Sequence, residues 1–347
     1  MRVLITGHDG YIGSVLTPMF VAAGHDVVGL DSYLFEGCAL GPESPPNVPA
    51  IRKDVRDVEF HDLAGFDAVV HLAGISNDPL GDLNPDCTYD INYHGTVHLA
   101  KVAKAAGVQR FLFSSSCSVY GAQGDEFATE EAALNPVTPY GESKILAEEA
   151  LSLLADDAFS PTYLRNATAY GASPRLRGDL VVNNLVGYAL TTGRVFIKSD
   201  GSPWRPLIHI EDIARAFLAV LAAPRPVVHD QAFNVGRTEE NYRISEVADI
   251  VRETVAGSVI VYAEGASPDT RNYRVDCQKF ARAVPQFQPQ WTVRRGAEQL
   301  ASAYRQHGLT ELAELTGSRF QRIKRVRELQ DAGLLDAELR WRVPALT

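Results

Sequence analysis

The sequence predicts an α/β fold in which a doubly wound parallel sheet is joined to a smaller α/β domain. In the first half of the chain, short apolar runs alternate with segments long enough to form helices. The first of these runs, at 3–6, leads directly into a glycine-rich turn. Beyond about residue 170 the alternation ends, and proline, glycine and arginine become frequent at 171–179. Such alternation is typical of a parallel sheet covered by helices on both faces.

The predicted elements follow one another closely. In the first half we expect strands at 3–6, 26–30, 50–53, 68–72, 110–114 and 162–165, and helices at 11–23, 83–106 and 139–155. In the second half we expect helices at 181–192 and 210–222, a helix that opens within 243–254, and a short strand at 194–198.

The division of the chain follows from the change of pattern. A first domain is expected at 1–171, to which 205–235 returns, and a second domain is expected at 172–204 and 236–308. The remaining segment, 309–347, is expected to be a helical C-terminal extension with charges of both signs. Its basic residues are expected to form a solvated helix face or a packing arm. They are Arg319, Arg322, Lys324, Arg325 and Arg327.

Composition excludes several classes of protein. Hydrophobic residues make up 46% of the chain and charged residues 22%, as in ordinary globular proteins. The net charge of −10 argues against a nucleic-acid partner, which would need a basic surface. We find neither a signal-peptide pattern nor an apolar run of the roughly 18 residues that span a bilayer. The four cysteines are scattered, so we expect free thiols, no metal and a cytoplasmic protein without a membrane partner.

The turn after the first predicted strand carries three evenly spaced glycines. Segment 7–13 reads GHDGYIG and contains Gly7, Gly10 and Gly13. Glycines between a strand and a helix permit a tight turn and let backbone N–H groups approach a pyrophosphate at the helix N-terminus. The segment therefore predicts a Rossmann-type dinucleotide site, although the spacing alone also fits a plain glycine turn.

The residue that ends the second predicted strand supports the dinucleotide site. Asp31 lies 18 residues after Gly13, close to the distance at which an acidic residue binds the adenosine ribose. Segment 31–38 contains no lysine or arginine, and Asp9 adds negative charge in the glycine loop. A 2′-phosphate would therefore be repelled, and the expected cofactor is NAD rather than NADP.

Two further strand ends are expected beside the cofactor. Asp54 and Val55 follow the third strand, where a carboxylate can reach the adenine amino group. Leu72, Ala73 and Gly74 end the fourth strand and leave room for the dinucleotide.

A tyrosine and a lysine mark the reactive part of the site. Tyr140 and Lys144 lie four residues apart in a predicted helix and therefore share one face. A lysine ammonium favours a phenolate, which can then exchange a proton near neutral pH. Ser116 lies 24 residues before Tyr140, at the carboxyl end of the fifth predicted strand, where it can bind a substrate oxygen.

With these motifs in this order, the chain resembles the extended short-chain dehydrogenases/reductases, a group that contains UDP-galactose 4-epimerase and the dTDP-sugar 4,6-dehydratases. The similarity runs from residue 1 to about residue 304. It implies a catalytic set of Ser116, Tyr140 and Lys144, with the last two also contacting NAD. The cofactor residues that it implies are Gly7, Gly10, Tyr11, Ile12, Gly13, Asp31, Asp54, Val55, Leu72, Ala73 and Gly74.

The same resemblance implies a nucleoside-diphosphate sugar as substrate. Asn184 matches an asparagine that holds the diphosphate, and Phe196 lies in the short strand that clasps the base. Arg205 matches the arginine that grips the diphosphate, and Arg271 is a second phosphate contact with a shifted register. Ser118 and Thr168 are expected beside the sugar. Two more arginines, Arg175 and Arg177, are further candidates for the diphosphate, although a surface position is favoured for each.

Departures from the family pattern narrow the chemistry. The dehydratases carry an Asp-Glu pair directly after the catalytic serine or threonine, and here those places hold Cys117 and Ser118. Neither is a ready general acid near pH 7, which disfavours dehydration and decarboxylation. Cys117 is expected to be a packed thiol, and Thr168 replaces the asparagine that usually contacts the sugar. The loop at 76–82 is expected to recognise sugar hydroxyls.

The site residues and the family resemblance together predict an NAD-dependent nucleotide-sugar epimerase that acts through a transient keto sugar. The alternative is an NAD(P)H-dependent ketoreductase acting on a nucleotide-linked keto-deoxysugar or a related natural-product intermediate. A nicotinamide sensor with a decayed site is disfavoured, since serine, tyrosine and lysine are all present. Family members commonly pair through two long helices, so 83–106 and 139–155 are expected to form a homodimer.

Overall fold

The computed structural model describes residues 1–43, 45–76, 84–267, 269 and 271–342. Most of the loop at 76–82 that is expected to recognise sugar hydroxyls, namely 77–82, lies outside these ranges. Within them, no helix is both long and apolar enough to cross a membrane. The described strands are β1 (Arg2–Thr6), β2 (Asp26–Asp31), β3 (Ala50–Arg52), β4 (Ala68–His71), β5 (Arg110–Ser116), β6 (Ala122–Ala128), β7 (Ser160–Asn166), β8 (Thr168–Tyr170), β9 (Arg194–Ile197), β10 (Trp204–His209), β11 (Gln231–Val235), β12 (Asn241–Arg243), β13 (Val259–Tyr262) and β14 (Asn272–Val275).

The described helices cover both faces of the main sheet and build much of the second half. They are α1 (Gly13–Ala22), α2 (Phe60–Leu63), α3 (Pro85–Tyr89), α4 (Gly95–Ala105), α5 (Pro139–Ser152), α6 (Val181–Thr192), α7 (Ile210–Ala222), α8 (Arg225–Val228), α9 (Ile244–Thr254), α10 (Gln278–Ala283), α11 (Val293–Gln306), α12 (Leu312–Leu315) and α13 (Arg322–Asp331).

Seven parallel strands form the main sheet, in the order β11-β7-β5-β4-β1-β2-β3. The order reverses direction between β1 and β4, so the carboxyl ends of these strands flank a crevice in which ligands of such sheets bind. The predicted doubly wound α/β fold is confirmed. Its last strand, β11, comes from late in the chain, because 231–235 pairs with β7.

Apolar cores lie on the two faces of this sheet. Val3 and Ile5 of β1 pack on the face covered by α1 and α7, where they meet Phe20 and Phe217. Leu4 points to the opposite face, towards α4 and α5. Side chains alternate along a strand, so an uninterrupted apolar run is expected for a strand that is buried on both faces.

Smaller sheets lie beside the main one. They are β12-β10-β8, β13-β9 and β14-β6. Several of these strands are short or contain charged residues, and all of them except β9 were not individually predicted, as was also the case for β11 of the main sheet. Strands that pair at a sheet of two or three members lack the long apolar run that marks a fully buried strand.

The predicted helix at 83–106 is not continuous in its described part. A wider helical turn at Asp90–His94 separates α3 from α4. This turn contains buried Asn92, whose Oδ1 accepts a hydrogen bond from the Ile75 N–H at 2.7 Å and whose Nδ2 donates to the Ile75 oxygen at 2.8 Å. The turn thereby ties the helix to the loop that follows β4.

The C-terminal segment 309–342 is helical only at α12 and α13, and it ends in a bridge between Leu335 and Trp341. Leu315 and Phe320 enter the core of the second half of the chain. Farther along, Val326 and Leu339 pack with residues of the first half that include Ile75. The segment therefore spans both parts of the molecule.

Candidate active site

A cavity of about 640 Å³ opens along the carboxyl edge of the main sheet. Every residue named in the sequence analysis as catalytic, cofactor-binding or substrate-binding lines it. Its walls also contain residues that the sequence analysis did not assign to the site, among them Ser114, Asn166, Asp179, Asp269, Gln321, Arg322 and Leu339.

The glycine loop has a geometry that side chains would disrupt. Gly7 has φ of +72°, and a Cβ there would lie 2.8 Å from the backbone nitrogen of Ala73. A Cβ at Gly13 would collide with the carbonyl oxygen of Gly7. Helix α1 begins here without a side-chain cap, and in the described chain the N–H groups of Tyr11 and Ile12 have no acceptor. Free donors at a helix N-terminus fit the pyrophosphate of a dinucleotide.

Asp31 is held at the end of β2 by backbone donors. Its Oδ2 accepts a hydrogen bond from the Asp9 N–H at 3.1 Å, and its Oδ1 accepts one from the Tyr33 N–H at 2.8 Å. Burial raises the pKa of Asp31, and the two N–H donors oppose this shift. The remaining acceptor capacity at the cavity wall fits ribose hydroxyls.

Two guanidinium groups lie near Asp31 and Asp9 despite the acidic local sequence. Arg52 of β3 stacks over the Tyr33 ring at 4.1 Å and pairs with Glu36 at 2.9 Å. Arg175 is buried and pairs with Asp9 at 2.7 Å, which corrects the expectation that it is a surface residue. Both arginines already have carboxylate partners, so neither offers an unpaired cation to a 2′-phosphate.

Asp54 is engaged within the protein. Arg56 donates from Nη2 to Asp54 Oδ2 at 2.7 Å and from Nε to Oδ1 at 3.0 Å. Burial alone would raise the pKa of Asp54, but Arg56 outweighs it and the pKa is lowered. An adenine amino group would therefore share this carboxylate with Arg56.

Tyr140 and Lys144 lie one turn apart on α5, which starts at Pro139 and is capped by Thr138. Lys144 Nζ lies 5.7 Å from the centre of the Tyr140 ring and donates a hydrogen bond to the Ser114 oxygen at 2.8 Å. Burial lowers the pKa of Lys144 to about 7. A phenolate at Tyr140 would favour the ammonium form of Lys144, because opposite charges at this distance attract each other.

The serines at the end of β5 face the cavity, whereas the cysteine between them does not. Ser116 Oγ donates to Ser118 Oγ at 3.1 Å and accepts from the Ser118 N–H at 3.1 Å. Cys117 is buried, and its thiol donates to the Arg165 oxygen at 3.1 Å. Its burial in a core cluster confirms that the thiol is packed, and this burial raises the thiol pKa.

On the opposite side, two predicted phosphate-binding arginines share one carboxylate. Asp269 pairs with Arg205 at 3.0 Å and with Arg271 at 2.7 Å. Arg205 is buried, and burial lowers the pKa of its guanidinium. No local pattern in the sequence marks Asp269 as their partner.

The other predicted substrate residues are spread around this side. Asn184 lines the cavity but already donates from Nδ2 to the Gly178 oxygen at 2.7 Å. Phe196 stacks on Tyr188 with ring centres 5.5 Å apart. Thr168 lies at the wall close to Asn166, which was not assigned to the site. Asn166 donates to Ser114 Oγ at 3.1 Å, while its buried Oδ1 has no partner among the described residues.

Asn166 ends β7 at the same sheet edge as Ser116, and strand-end position is the signal that could have identified it. Arg177 is also buried, which corrects the surface expectation. It pairs with Asp179 at 2.8 Å and donates to Ser76 Oγ at 3.0 Å.

Hydride transfer requires a dinucleotide and a proton-exchanging side chain at one place, and the cavity has residues suited to both. The protein is thus an NAD-dependent enzyme of the extended short-chain dehydrogenase/reductase type. More closely, the chain belongs to the NAD dependent epimerase/dehydratase family, whose profile matches residues 3–236.

Curated relatives narrow the activity. UDP-glucose 4-epimerase of Mycolicibacterium smegmatis (strain ATCC 700084 / mc(2)155) is 30% identical over 314 residues, which cover 88% of this chain and 99% of that protein. UDP-glucose 4-epimerase 4 of Oryza sativa subsp. japonica is 32% identical over 287 residues, which cover 74% of this chain and 77% of that protein.

A solved structure agrees with these sequences. MoeE5 in complex with UDP-glucuronic acid and NAD superimposes with a TM-score of 0.77 at 25% identity, covering 88% of this chain and 99% of that one. The predicted class, an NAD-dependent nucleotide-sugar epimerase, is confirmed, and the ketoreductase alternative is not favoured.

Proposed function

We propose that the chain interconverts the two configurations at carbon 4 of a sugar carried by UDP. Relatives at 30% identity or more are named UDP-glucose 4-epimerases. Their names support uracil as the base of the substrate and carbon 4 as the carbon that reacts. Structures related at 25% and 26% identity hold UDP-glucuronic acid or UDP-glucose together with NAD.

The observation that carries the proposal is the set of side chains beside Tyr140. Ser116 and Ser118 line that part of the cavity, while Cys117 is packed in the core. Dehydration needs an acid and a base to expel water from the sugar. A buried thiol of raised pKa and a hydroxyl are poorly suited to either role near pH 7. Epimerisation needs only hydride transfer and one proton exchange, for which Tyr140 and Lys144 suffice.

In the proposed reaction, Tyr140 exchanges a proton with the sugar hydroxyl. Lys144, 5.7 Å from the Tyr140 ring centre, stabilises the phenolate in its ammonium form. Ser116 binds the same sugar oxygen and fixes its position next to Tyr140. Bound NAD supplies a reversible hydride acceptor, which gives access to both configurations of the carbon. The glycine loop and Asp31 hold this cofactor.

The arginines of the opposite wall are proposed to bind the UDP diphosphate. Arg205 and Arg271 converge on Asp269, and all three line the cavity. Guanidinium groups form charge-assisted, often bidentate bonds with phosphate oxygens. Asn184, Phe196, Ser118 and Thr168 are proposed to complete the contacts to the base, diphosphate and sugar.

We further propose that 1–171 with 205–235 holds NAD, and that 172–204 with 236–308 holds the nucleotide sugar. The protein is proposed to act in the cytoplasm as a homodimer paired through α3–α4 and α5. Helices α4 and α5 belong to the same outer layer on one face of the main sheet, which supports this pairing. Light scattering after size-exclusion chromatography tests it, and a monomer at working concentration would refute it.

The activity is tested on the protein as purified, without added NAD. UDP-glucose, UDP-galactose and UDP-glucuronic acid are incubated separately, and the products are identified by proton NMR. We expect an equilibrium mixture of two carbon-4 epimers from at least one of them, and deuterium placed at carbon 4 should remain there. Absence of any interconversion, or stoichiometric consumption of NADH with a keto sugar, would refute the proposal.

A further inference from the structure

The first residue of α13 is an arginine in an unusual environment. Arg322 is only 5% exposed, yet it lines the cavity. Its Nη2 donates to the Arg175 oxygen at 3.1 Å, and its guanidinium lies 4.0 Å from the centre of the Phe35 ring. Across the described residues, this is the only hydrogen bond its guanidinium makes, and no carboxylate lies within ion-pair distance.

The neighbouring arginines make the contrast clear. Arg175 is paired with Asp9 at 2.7 Å and with Glu43 at 2.6 Å, and Arg177 is paired with Asp179 at 2.8 Å. A buried charge without a partner is costly because it loses its hydration and gains no compensating attraction. Accordingly, burial and the two neighbouring guanidinium groups lower the pKa of Arg322 to about 10. An anion in the cavity would remove this cost.

The backbone next to Arg322 also carries a partial positive charge, because it is the N-terminus of a helix. Helix α13 has ten residues, and the N-cap residue that precedes it, Gln321, makes no side-chain capping hydrogen bond. Gln321, Arg322 and Ile323 all line the cavity, so the uncapped end of the helix lies at its wall. A helix N-terminus carries a partial positive charge and unsatisfied N–H groups. The guanidinium and the helix end therefore favour the same kind of ligand.

The position of Arg322 indicates which anion it meets. Phe35 belongs to the segment that follows Asp31, and Arg322 is also close enough to Tyr11 of the glycine loop to influence its pKa. Both neighbours lie at the cofactor end of the cavity, whereas Arg205 and Arg271 lie at the nucleotide-sugar end. We infer that Arg322, supplied by the C-terminal segment, binds the diphosphate of the dinucleotide. This inference rests on the cofactor part of the proposed function and is independent of the sugar.

The test measures binding rather than turnover. Full-length protein freed of bound nucleotide is titrated with NAD, ADP-ribose, adenosine and UDP in the wild type, Arg322→Met and Arg322→Lys. The matched control is Arg319→Met. Arg319 lies in the same segment but is paired with Glu314 at 2.7 Å and does not line the cavity. Circular dichroism and the melting temperature establish that each variant is folded.

We expect Arg322→Met to lower the binding affinity for NAD and for ADP-ribose by roughly 10- to 100-fold. This range corresponds to the loss of a hydrogen bond to a charged group. Adenosine and UDP should change by less than about twofold, because neither reaches the dinucleotide diphosphate. Arg322→Lys should restore part of the loss, and Arg319→Met should behave as wild type.

Two results would overturn the inference. An equal loss for adenosine would mean that Arg322 only supports the fold around Phe35. A loss for UDP with NAD unchanged would place the arginine in the substrate site. If Arg322→Met does not fold, the same comparison is made with Arg322→Lys. A greater loss of affinity for ADP-ribose than for adenosine supports the inference, and an equal loss for both contradicts it. A failed epimerase assay would leave these binding results valid, so the two proposals fail separately.

Discussion

The two walls of the cavity handle charge in different ways. The sheet-edge wall, formed by the ends of β1, β2, β4, β5 and α5, offers backbone N–H groups, hydroxyls and the half-buried carboxylate of Asp31. The outer wall, formed by later parts of the chain, offers guanidinium groups, and most of these are already paired with carboxylates. Arg205 and Arg271 share Asp269, and Arg177 is bound to Asp179.

We expect the first wall to suit a cofactor that stays bound and the second wall to suit a substrate that is released after each turnover. Backbone donors fixed at strand ends need little reorganisation to receive a ligand, and they suit a cofactor that stays bound. A diphosphate that reaches Arg205 must instead compete with Asp269, which limits its affinity and assists release. Changes in the sheet-edge wall should therefore affect chemistry or cofactor retention, and changes at Arg205 or Arg271 of the outer wall should affect mainly KM.

The largest effect should come from removing the proton-exchanging group. Tyr140→Phe should lower turnover by roughly 10²- to 10⁴-fold, the range for loss of general acid–base catalysis. Its NAD content after purification should remain near wild type. Tyr89→Phe is a matched control, because its hydroxyl binds Glu142 and it does not line the cavity. Near-normal turnover in Tyr140→Phe would contradict the mechanism.

A smaller effect is expected at the ribose end of the same wall. Asp31→Asn should weaken NAD roughly 10-fold, since a charge-assisted acceptor becomes neutral. NADP should be affected less, so the preference for NAD should narrow. Asp26→Asn, at the exposed opposite end of β2, should change neither affinity. Both dissociation constants are measured by titration, and an unchanged preference would remove Asp31 from the ribose site.

The outer wall is tested by removing the carboxylate that pairs with two of its arginines. Asp269→Asn removes the carboxylate that Arg205 and Arg271 share, so UDP should bind several-fold more tightly while kcat falls if product release limits it. Asp249→Asn, in an exposed pair with Arg252, serves as control. Weaker UDP binding in Asp269→Asn would contradict this competition. It would mean that the main effect of the carboxylate is to orient the two arginines for the diphosphate.

Lys144 should make the stability of the protein depend on pH. Its pKa is lowered to about 7 in the ligand-free fold and lies near 10.4 in an unfolded chain. Between these values the unfolded state binds one more proton, so the free energy of unfolding rises with pH by up to about 1.4 kcal/mol per unit. Urea unfolding at pH 7 to 8.5 should show this rise in wild type and not in Lys144→Met. If the free energy of unfolding changed with pH to the same extent in wild type and in Lys144→Met, this prediction would be wrong.

The sheet-edge wall was accessible to sequence analysis because its signals are local. Gly7 to Gly13, Asp31 and the Tyr140–Lys144 pair each lie at the end of a strand or within one helix turn, so spacing along the chain fixes their relative positions. The confirmed fold class rests on the same periodicity.

The outer wall could not be derived in this way. Arg322 reaches the Arg175 oxygen across 147 residues of sequence, and Asp269 has no pattern that ties it to Arg205. A run of arginines and lysines looks the same whether it is solvated or buried. What distinguishes Arg322 from its neighbours is long-range packing, including that of Leu315 and Phe320 in the second core.

The bridge between Leu335 and Trp341 has a consequence for synthesis on the ribosome. Trp341 Nε1 donates to the Ser32 oxygen at 2.7 Å, and Leu339 lines the cavity. The last strand of the main sheet ends at Val235, whereas these contacts need the segment that contains Leu335 and Trp341. A nascent chain that has already made every strand of the main sheet therefore still lacks this side of the cavity until that segment has been synthesised.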